Sequence, residues 1–121
     1  MDHSPGFLAL VQAVRPRIRE LPATQLAQAL HDTPGALLID VREHEEYLAG
    51  HVRGAQWLGK GIIERDIEKF CPDLERPLFL YCGGGYRSAL AADNLQKMGY
   101  RQVCSVDGGW RALQELMPVE K

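Results

Sequence analysis

Apolar residues recur along the chain with two different periods. Over 4–15, Phe7, Leu8, Val11 and Val14 share one face at helical spacing; Ser4 stands at the capping position, Pro5 opens the helix and Pro16 stops it. The stretch 17–21, Arg-Ile-Arg-Glu-Leu, alternates well enough for a short edge strand. Pro22 opens a second predicted helix through Leu26, Ala29 and Leu30, which Pro34-Gly35 breaks. Residues 36–41, Ala-Leu-Leu-Ile-Asp-Val, are a nearly continuous apolar run, the mark of a parallel strand covered on both faces. The spacing then predicts a short helix over 43–49 closed by Gly50, a loop over 51–54 and a short strand over 55–58. Ile62, Ile63, Ile67 and Phe70 form a helical stripe ended by Pro72. A second buried strand is predicted at 77–82, followed by a glycine loop at 83–85. An amphipathic helix over 87–98 turns Leu90, Ala91, Leu95 and Met98 inward and stops at Gly99. A third strand at 103–106 and a last helix over 110–117 complete the pattern.

Strands alternating with helices of this length predict an α/β fold, with a mainly parallel central sheet and helices on both faces. No segment repeats and no linker interrupts the pattern, so 1–121 reads as one domain, with 1–16 as an appended packing helix that carries no chemistry. At 121 residues, 45% hydrophobic and 25% charged, the chain can build a core without a disulfide or metal staple. A net charge of −2 argues against a nucleic-acid partner. No apolar run approaches the ~20 residues of a membrane span, so no membrane partner is expected. Three cysteines, Cys71, Cys82 and Cys104, cannot all pair within one chain. With no basic stretch in Met1-Asp2-His3-Ser4, they point to a reducing, cytoplasmic setting.

The segment 78–88, Leu-Phe-Leu-Tyr-Cys-Gly-Gly-Gly-Tyr-Arg-Ser, is the most informative in the chain. It sets Cys82 at the carboxyl end of a buried strand, where open α/β sheets bind their ligands. Glycines let successive amides turn inward as a nest for an anion, and the following helix N-terminus adds partial positive charge. Such surroundings favour a thiolate, but intrinsic nucleophilicity falls along with basicity. The cradle therefore serves more by holding an anionic substrate and a charged intermediate. Charged residues also cluster at the end of the first buried strand, over 40–47 and 50–55.

Taken together, these segments resemble the rhodanese family. The resemblance rests on Asp40-Val41-Arg42-Glu43 with Glu46-Tyr47, Gly50-His51-Val52 with Gly54-Ala55, the loop from Cys82 to Ser88, and Asp107-Gly108-Gly109-Trp110. It spans 36–117, about two-thirds of the chain. It implies a single rhodanese-like α/β domain and sulfurtransferase chemistry. In that chemistry the Cys82 thiolate takes a sulfane sulfur from a small anionic donor such as thiosulfate. The resulting persulfide passes it to cyanide or a thiol, with a protein thiol as a further candidate acceptor. Neither a metal nor an organic cofactor is implied. Two departures stand out: Arg53, where the family often has proline, and Gly83-Gly84, where many members carry side chains.

Cys82 is thus the candidate nucleophile, with Gly83, Gly84, Gly85 and Tyr86 offering backbone N–H groups to the substrate. Two roles are open to Arg87: binding the anion, or bracing the loop by pairing with Glu46. Bracing is favoured, because a residue at the helix start can point away from the cradle. Ser88 reads as a helix cap. Asp40 and Arg42 read as structural ties between the strand end and neighbouring loops. His51 is either a general base or, preferably, a loop histidine bonded to backbone. Trp110 reads as a core indole that can also reach the site mouth. Cys71 and Cys104 read as packing residues. No Cys-x-x-Cys or His-x-x-x-His pair suggests a metal. Two other classes compete. A Cys-based phosphatase needs five residues between cysteine and arginine, whereas four separate Cys82 from Arg87. A noncatalytic binding or sensing module has no need of a nucleophile in its cleft. The sequence does not specify an oligomeric state.

Overall fold

The computed structural model describes residues 3–121. Its first half contains α1 (Pro5–Val14), β1 (Arg19–Pro22), α2 (Leu26–Asp32), β2 (Leu37–Asp40), α3 (His44–Ala49), β3 (His51–Val52) and β4 (Gln56–Trp57). Then come α4 (Ile63–Phe70), β5 (Leu78–Tyr81), α5 (Tyr86–Lys97), β6 (Val103–Asp107), α6 (Gly109–Leu116) and β7 (Val119–Glu120). Five strands pair in parallel in the order β1-β6-β5-β2-β4.

All four residues of β2 and all four of β5 are buried, as a strand covered on both faces requires. Side chains alternate between two cores. Leu37, Ile39, Leu78 and Leu80 pack with Ile63 and Ile67 of α4 and with Ala91 and Leu95 of α5. Leu38, Phe79 and Tyr81 pack with Leu26 of α2 and Leu113 of α6. Helices therefore lie on both faces, as expected. Truncating a central side chain such as Ile39, fully enclosed here, would cost about 2–5 kcal/mol. α1 lies against α5, with Val11, Val14 and Ala89 as a third, smaller core.

Local expectations fail where proline, glycine or a distant partner decides. The α-helix does stop before Pro16, at Val14, but the chain continues through a 3-10 turn, Arg15–Arg17, because the fixed φ of Pro16 suits that tighter winding. Ser4 occupies the cap position, yet its side chain makes no cap bond; its carbonyl accepts the Leu8 amide at 3.0 Å instead. Pro22 closes β1 rather than opening a helix. β1 is an edge strand, where a missing N–H is tolerated, and a 3-10 turn, Ala23–Gln25, precedes α2. The expected loop at 51–54 holds a strand in its first half. β3 pairs antiparallel with β7, matching His51 to Glu120 and Val52 to Val119.

Candidate active site

β5 delivers Cys82 to the carboxyl end of the sheet, and the chain turns through three glycines into α5. Gly85 is the residue that makes the turn, at φ +105°. A Cβ there would crowd the Asp107 Cα at 3.3 Å and the Gly108 nitrogen at 3.4 Å. The Cys82 residue is only 1% exposed. Its Sγ accepts the Gly85 amide at 3.2 Å and the Ser88 amide at 3.3 Å, with Ser88 Oγ at 3.5 Å.

The loop's carbonyls explain why its amides turn inward. Those of Cys82, Gly83 and Gly84 accept N–H groups of Trp110 (2.7 Å), Arg111 (3.1 Å) and Gly108 (3.3 Å). These donors are the otherwise unpartnered amides at the start of α6. In a planar trans peptide, C=O and N–H point in opposite directions. Fixing the three carbonyls on α6 therefore turns the amides of Gly83, Gly84 and Gly85 away from α6, and that of Gly85 reaches the sulfur. The approach is close. A Cβ on Gly109, which is at φ +49°, would stand 2.8 Å from the Gly83 carbonyl carbon and 2.9 Å from its oxygen. Gly108-Gly109 thus belongs to the loop's mould, a function the spacing did not reveal.

Ser88 is not the helix cap. The cap position falls to Gly85, one turn earlier, and Ser88 is fully buried in the first turn. Its hydroxyl lies between the Cys82 sulfur and Ser105 Oγ, the latter at 2.8 Å. Ser105, on β6, is a polar neighbour that sequence reasoning missed; only its place in a buried strand distinguishes it.

Arg87 donates to Glu46 at 2.8 and 3.4 Å, the bracing arrangement. The Glu46 Oε1 atom also accepts the Glu43 amide at 3.0 Å, in a capping box that starts α3. Hydrogen bonding to Arg87 holds the Glu46 carboxyl below its usual range, and the same contact raises Arg87. The guanidinium lies over the loop, since a Cβ on Gly83 would meet Arg87 Nη2 at 3.0 Å.

Asp40 and Arg42 form a buried ion pair, with Arg42 Nη2 at 2.7 Å from Asp40 and at 2.7 Å from the Gly50 carbonyl. The Arg42 guanidinium also lies 4.6 Å from the centre of the Trp110 ring. The pair thereby ties β2 to the end of α3 and to α6. Burial and then the Asp40 charge push the Tyr81 phenol far above its usual pKa, so it stays neutral. His51 stacks on Tyr47 at 3.7 Å and donates from Nδ1 to the Tyr47 carbonyl at 2.8 Å; its Nε2 lies 3.4 Å from Glu120. This is the backbone-bonded arrangement, and His51 does not line the cavity.

The cavity over Cys82 has a volume of about 560 Å³. Of the expected substrate-binding residues Gly83, Gly84, Tyr86 and Arg87 line it, whereas Gly85 does not, its amide being bonded to the Cys82 sulfur. Glu46, expected as a brace, lines it too, and Trp110 lines it besides packing on Arg42. Arg111, His3 and Phe7 line it as well. The appended segment, expected only to pack, thus also lines the cavity through His3 and Phe7. The rings of His3 and Phe7 lie 4.3 and 6.1 Å from that of Tyr86. Only the docking of α1 on α5, a tertiary event, brings them there. Cys71 and Cys104 do not reach the cavity. Burial pushes the Cys104 thiol up to about 11. Among the described residues no group of three or more His, Cys, Asp or Glu side chains is placed to hold a metal ion.

Comparison with known proteins finds relatives over most of the chain. A family model, the Rhodanese-like domain, matches residues 22–116. A thiosulfate sulfurtransferase GlpE from Pseudomonas fluorescens SBW25 is 36% identical over 94 residues, 78% of this chain and 84% of that protein. The GlpE protein from strain Pf-5 is 34% identical over 102 residues, 84% of this chain and 90% of its own length. Among solved structures, a Rhodopseudomonas palustris protein of unknown function, described as a possible tyrosine phosphatase, superposes with a TM-score of 0.82. It is 29% identical and covers 99% of this chain and 98% of its own. A rhodanese with anions from E. coli gives a TM-score of 0.64 at 32% identity, over 71% of this chain and 98% of that one.

Proposed function

The chain belongs to the rhodanese-like family, and on that footing we propose that it is a sulfurtransferase acting through a persulfide on Cys82. The carrying observation is the Cys82 sulfur held at 3.2 and 3.3 Å by two backbone amides beneath a cavity of about 560 Å³. The name of the GlpE relatives, thiosulfate sulfurtransferase, supports the same chemistry.

The Cys82 thiolate attacks the outer sulfur of thiosulfate. A Cys82–sulfur bond forms, the sulfur–sulfur bond of the donor breaks, and sulfite leaves with the electron pair. A thiol or cyanide then attacks the outer sulfur of the persulfide, and Cys82 leaves as thiolate. The two steps balance without an outside oxidant or reductant. The cysteine-bound sulfur is anionic both before and after the transfer, so inward-turned amides stabilise each of these states from fixed positions. The amides of Gly83, Gly84 and Tyr86 serve the donor's oxygens and the outer sulfur. Arg87 braces the loop through Glu46, and Asp40 and Arg42 brace the strand end. We place the protein in a reducing, cytoplasmic compartment, a reading supported by three free, buried cysteines.

Intact mass after incubation with thiosulfate is the decisive measurement. One added sulfur on the wild-type chain, absent from Cys82→Ser and present in Cys71→Ser and Cys104→Ser, is expected. A phosphatase is the rival reading, given the description of the Rhodopseudomonas relative. The short loop and the engagement of Arg87 by Glu46 weigh against it. Cys82-dependent hydrolysis of an aryl phosphate, with no sulfur acquired from thiosulfate, would replace the sulfurtransferase reading.

A further inference from the structure

The cavity is the size of an organic ligand site, and an inorganic donor or cyanide fills only a small part of it. Its remaining surface has a definite chemistry. Phe7, Tyr86 and His3 form a ring cluster contributed jointly by α5 and the segment around α1. Trp110 adds a fourth ring. Two arginines, Arg87 and Arg111, line the same space. Arg87 is engaged by Glu46, so this pair offers little net charge. Arg111 is exposed, and among the described residues no carboxylate pairs with it. Its backbone is fixed beside the loop, because its amide is bonded to the Gly83 carbonyl, and its exposed side chain is free to meet a ligand's anionic group.

We propose that the cavity's acceptor is a small aromatic thiol carrying a carboxylate, with Phe7 and His3 holding its ring and Arg111 its carboxylate. The inference rests on the sulfurtransferase reading and deepens it by naming a substrate class. The acceptor thiolate attacks the outer sulfur of the Cys82 persulfide; the persulfide bond breaks, Cys82 leaves as thiolate, and an aryl persulfide departs. No oxidant enters. Ring contacts and one anchored carboxylate orient the acceptor sulfur over Cys82, so the recognition acts through positioning. Phe7 and Arg111 are the specificity determinants, and the appended helix is what sets this cavity apart from a site for small inorganic ions.

The test compares acceptors on the full chain supplied with thiosulfate: cyanide, glutathione, 4-mercaptobenzoate and its amide, 4-mercaptobenzamide. Comparing each variant with wild type removes differences in intrinsic thiol reactivity. In Phe7→Ala, kcat/KM for 4-mercaptobenzoate should fall about tenfold more than for cyanide, the scale of one lost aromatic contact with its buried area. His3→Ala, at a partly exposed position outside the helix, should shift the same ratio in the same direction and guards against misfolding of the first variant. In Arg111→Gln the loss should be at least about fivefold greater for the carboxylate than for its amide, as expected of a charge-assisted contact. Equal losses for all four acceptors in the three variants would overturn the proposal, as would losses for glutathione as large as those for 4-mercaptobenzoate in Phe7→Ala and Arg111→Gln. Absence of any sulfur transfer from thiosulfate to cyanide would instead overturn the sulfurtransferase reading itself.

Discussion

Glu46 Oε1 accepts two hydrogen bonds at once, from Arg87 at 2.8 Å and from the Glu43 amide at 3.0 Å. One carboxylate oxygen thus starts α3 and anchors the helix that follows the reactive loop. The pair is partly exposed, so its contribution to global stability is about 0.2–1 kcal/mol. Its effect on positioning is larger. Glu46→Gln and Arg87→Gln should each lower sulfur transfer about tenfold or more. The double variant should lose less than the product of the two factors, because each single change already breaks the link. Strict multiplicativity would show the two residues to act separately.

The same pair gives a pH dependence of defined sign. Arg87 lowers the Glu46 pKa in the folded state. The stabilisation is therefore complete above the unfolded carboxyl pKa, about 4.3, and fades as pH falls through the lower folded value. Denaturant midpoints of wild type and Glu46→Gln should differ at pH 7 and converge in acid. A gap that widens on acidification would contradict the assignment.

Gly109→Ala should damage the site without touching the nucleophile. The new methyl would meet backbone at Gly83, 2.8 and 2.9 Å away, and the residue would sit in a left-handed conformation. Strain of about 1–3 kcal/mol is expected, together with displacement of the loop. A shift of about 1 Å can cost roughly 100-fold in rate. Thermal unfolding and sulfur transfer on one preparation report the two effects.

Ser88→Ala removes the hydroxyl beside the sulfur and leaves Ser105 Oγ buried without its 2.8 Å partner. A stability loss of about 1–3 kcal/mol is expected, along with slower persulfide formation. Ser105→Ala keeps the Ser88 hydroxyl and should slow that step less. Stopped-flow measurement of persulfide formation ranks the two; the reverse order would separate Ser88 from the sulfur's environment.

Alkylation should discriminate among the cysteines. Burial holds the Cys104 thiol at about 11, so at pH 8 only about one molecule in a thousand carries a thiolate there. Iodoacetate should modify Cys82 first, and after thiosulfate the adduct there should carry one additional sulfur. Peptide mass mapping that finds Cys104 labelled at an equal rate would contradict its buried, protonated state.

The strands at the centre of the sheet were legible because burial on both faces leaves no polar position in Leu78-Phe79-Leu80-Tyr81 and only Asp40 in β2. The reactive loop was legible because three consecutive glycines after a buried strand serve few other purposes. The Glu46–Arg87 contact was anticipated, although the guanidinium does not point away from the loop as expected but lies over it. Other features depended on distance. β3 and β7 are two residues each and pair across the chain, with no periodicity to reveal them. Ser88 was misread because the left-handed Gly85 moves the start of α5 back to Tyr86, which turns the serine from a cap into a buried neighbour of the sulfur. Phe7 looked like packing, which it is; its second face, toward the cavity, follows only from where α1 docks.

The loop after Cys82 is built from peptide groups whose carbonyls are occupied by α6. Peptide groups neither gain nor lose protons over the range a cell experiences, and they bring no counterion with them. The floor of this site is therefore electrically the same in acid and in alkali, in dilute buffer and in concentrated salt. What responds to the medium stands around it: the thiol it holds, the carboxylate behind its arginine and the guanidinium at its rim. A change of solvent can thus retune which molecules arrive and how fast they react while the seat that receives the sulfur keeps its polarity.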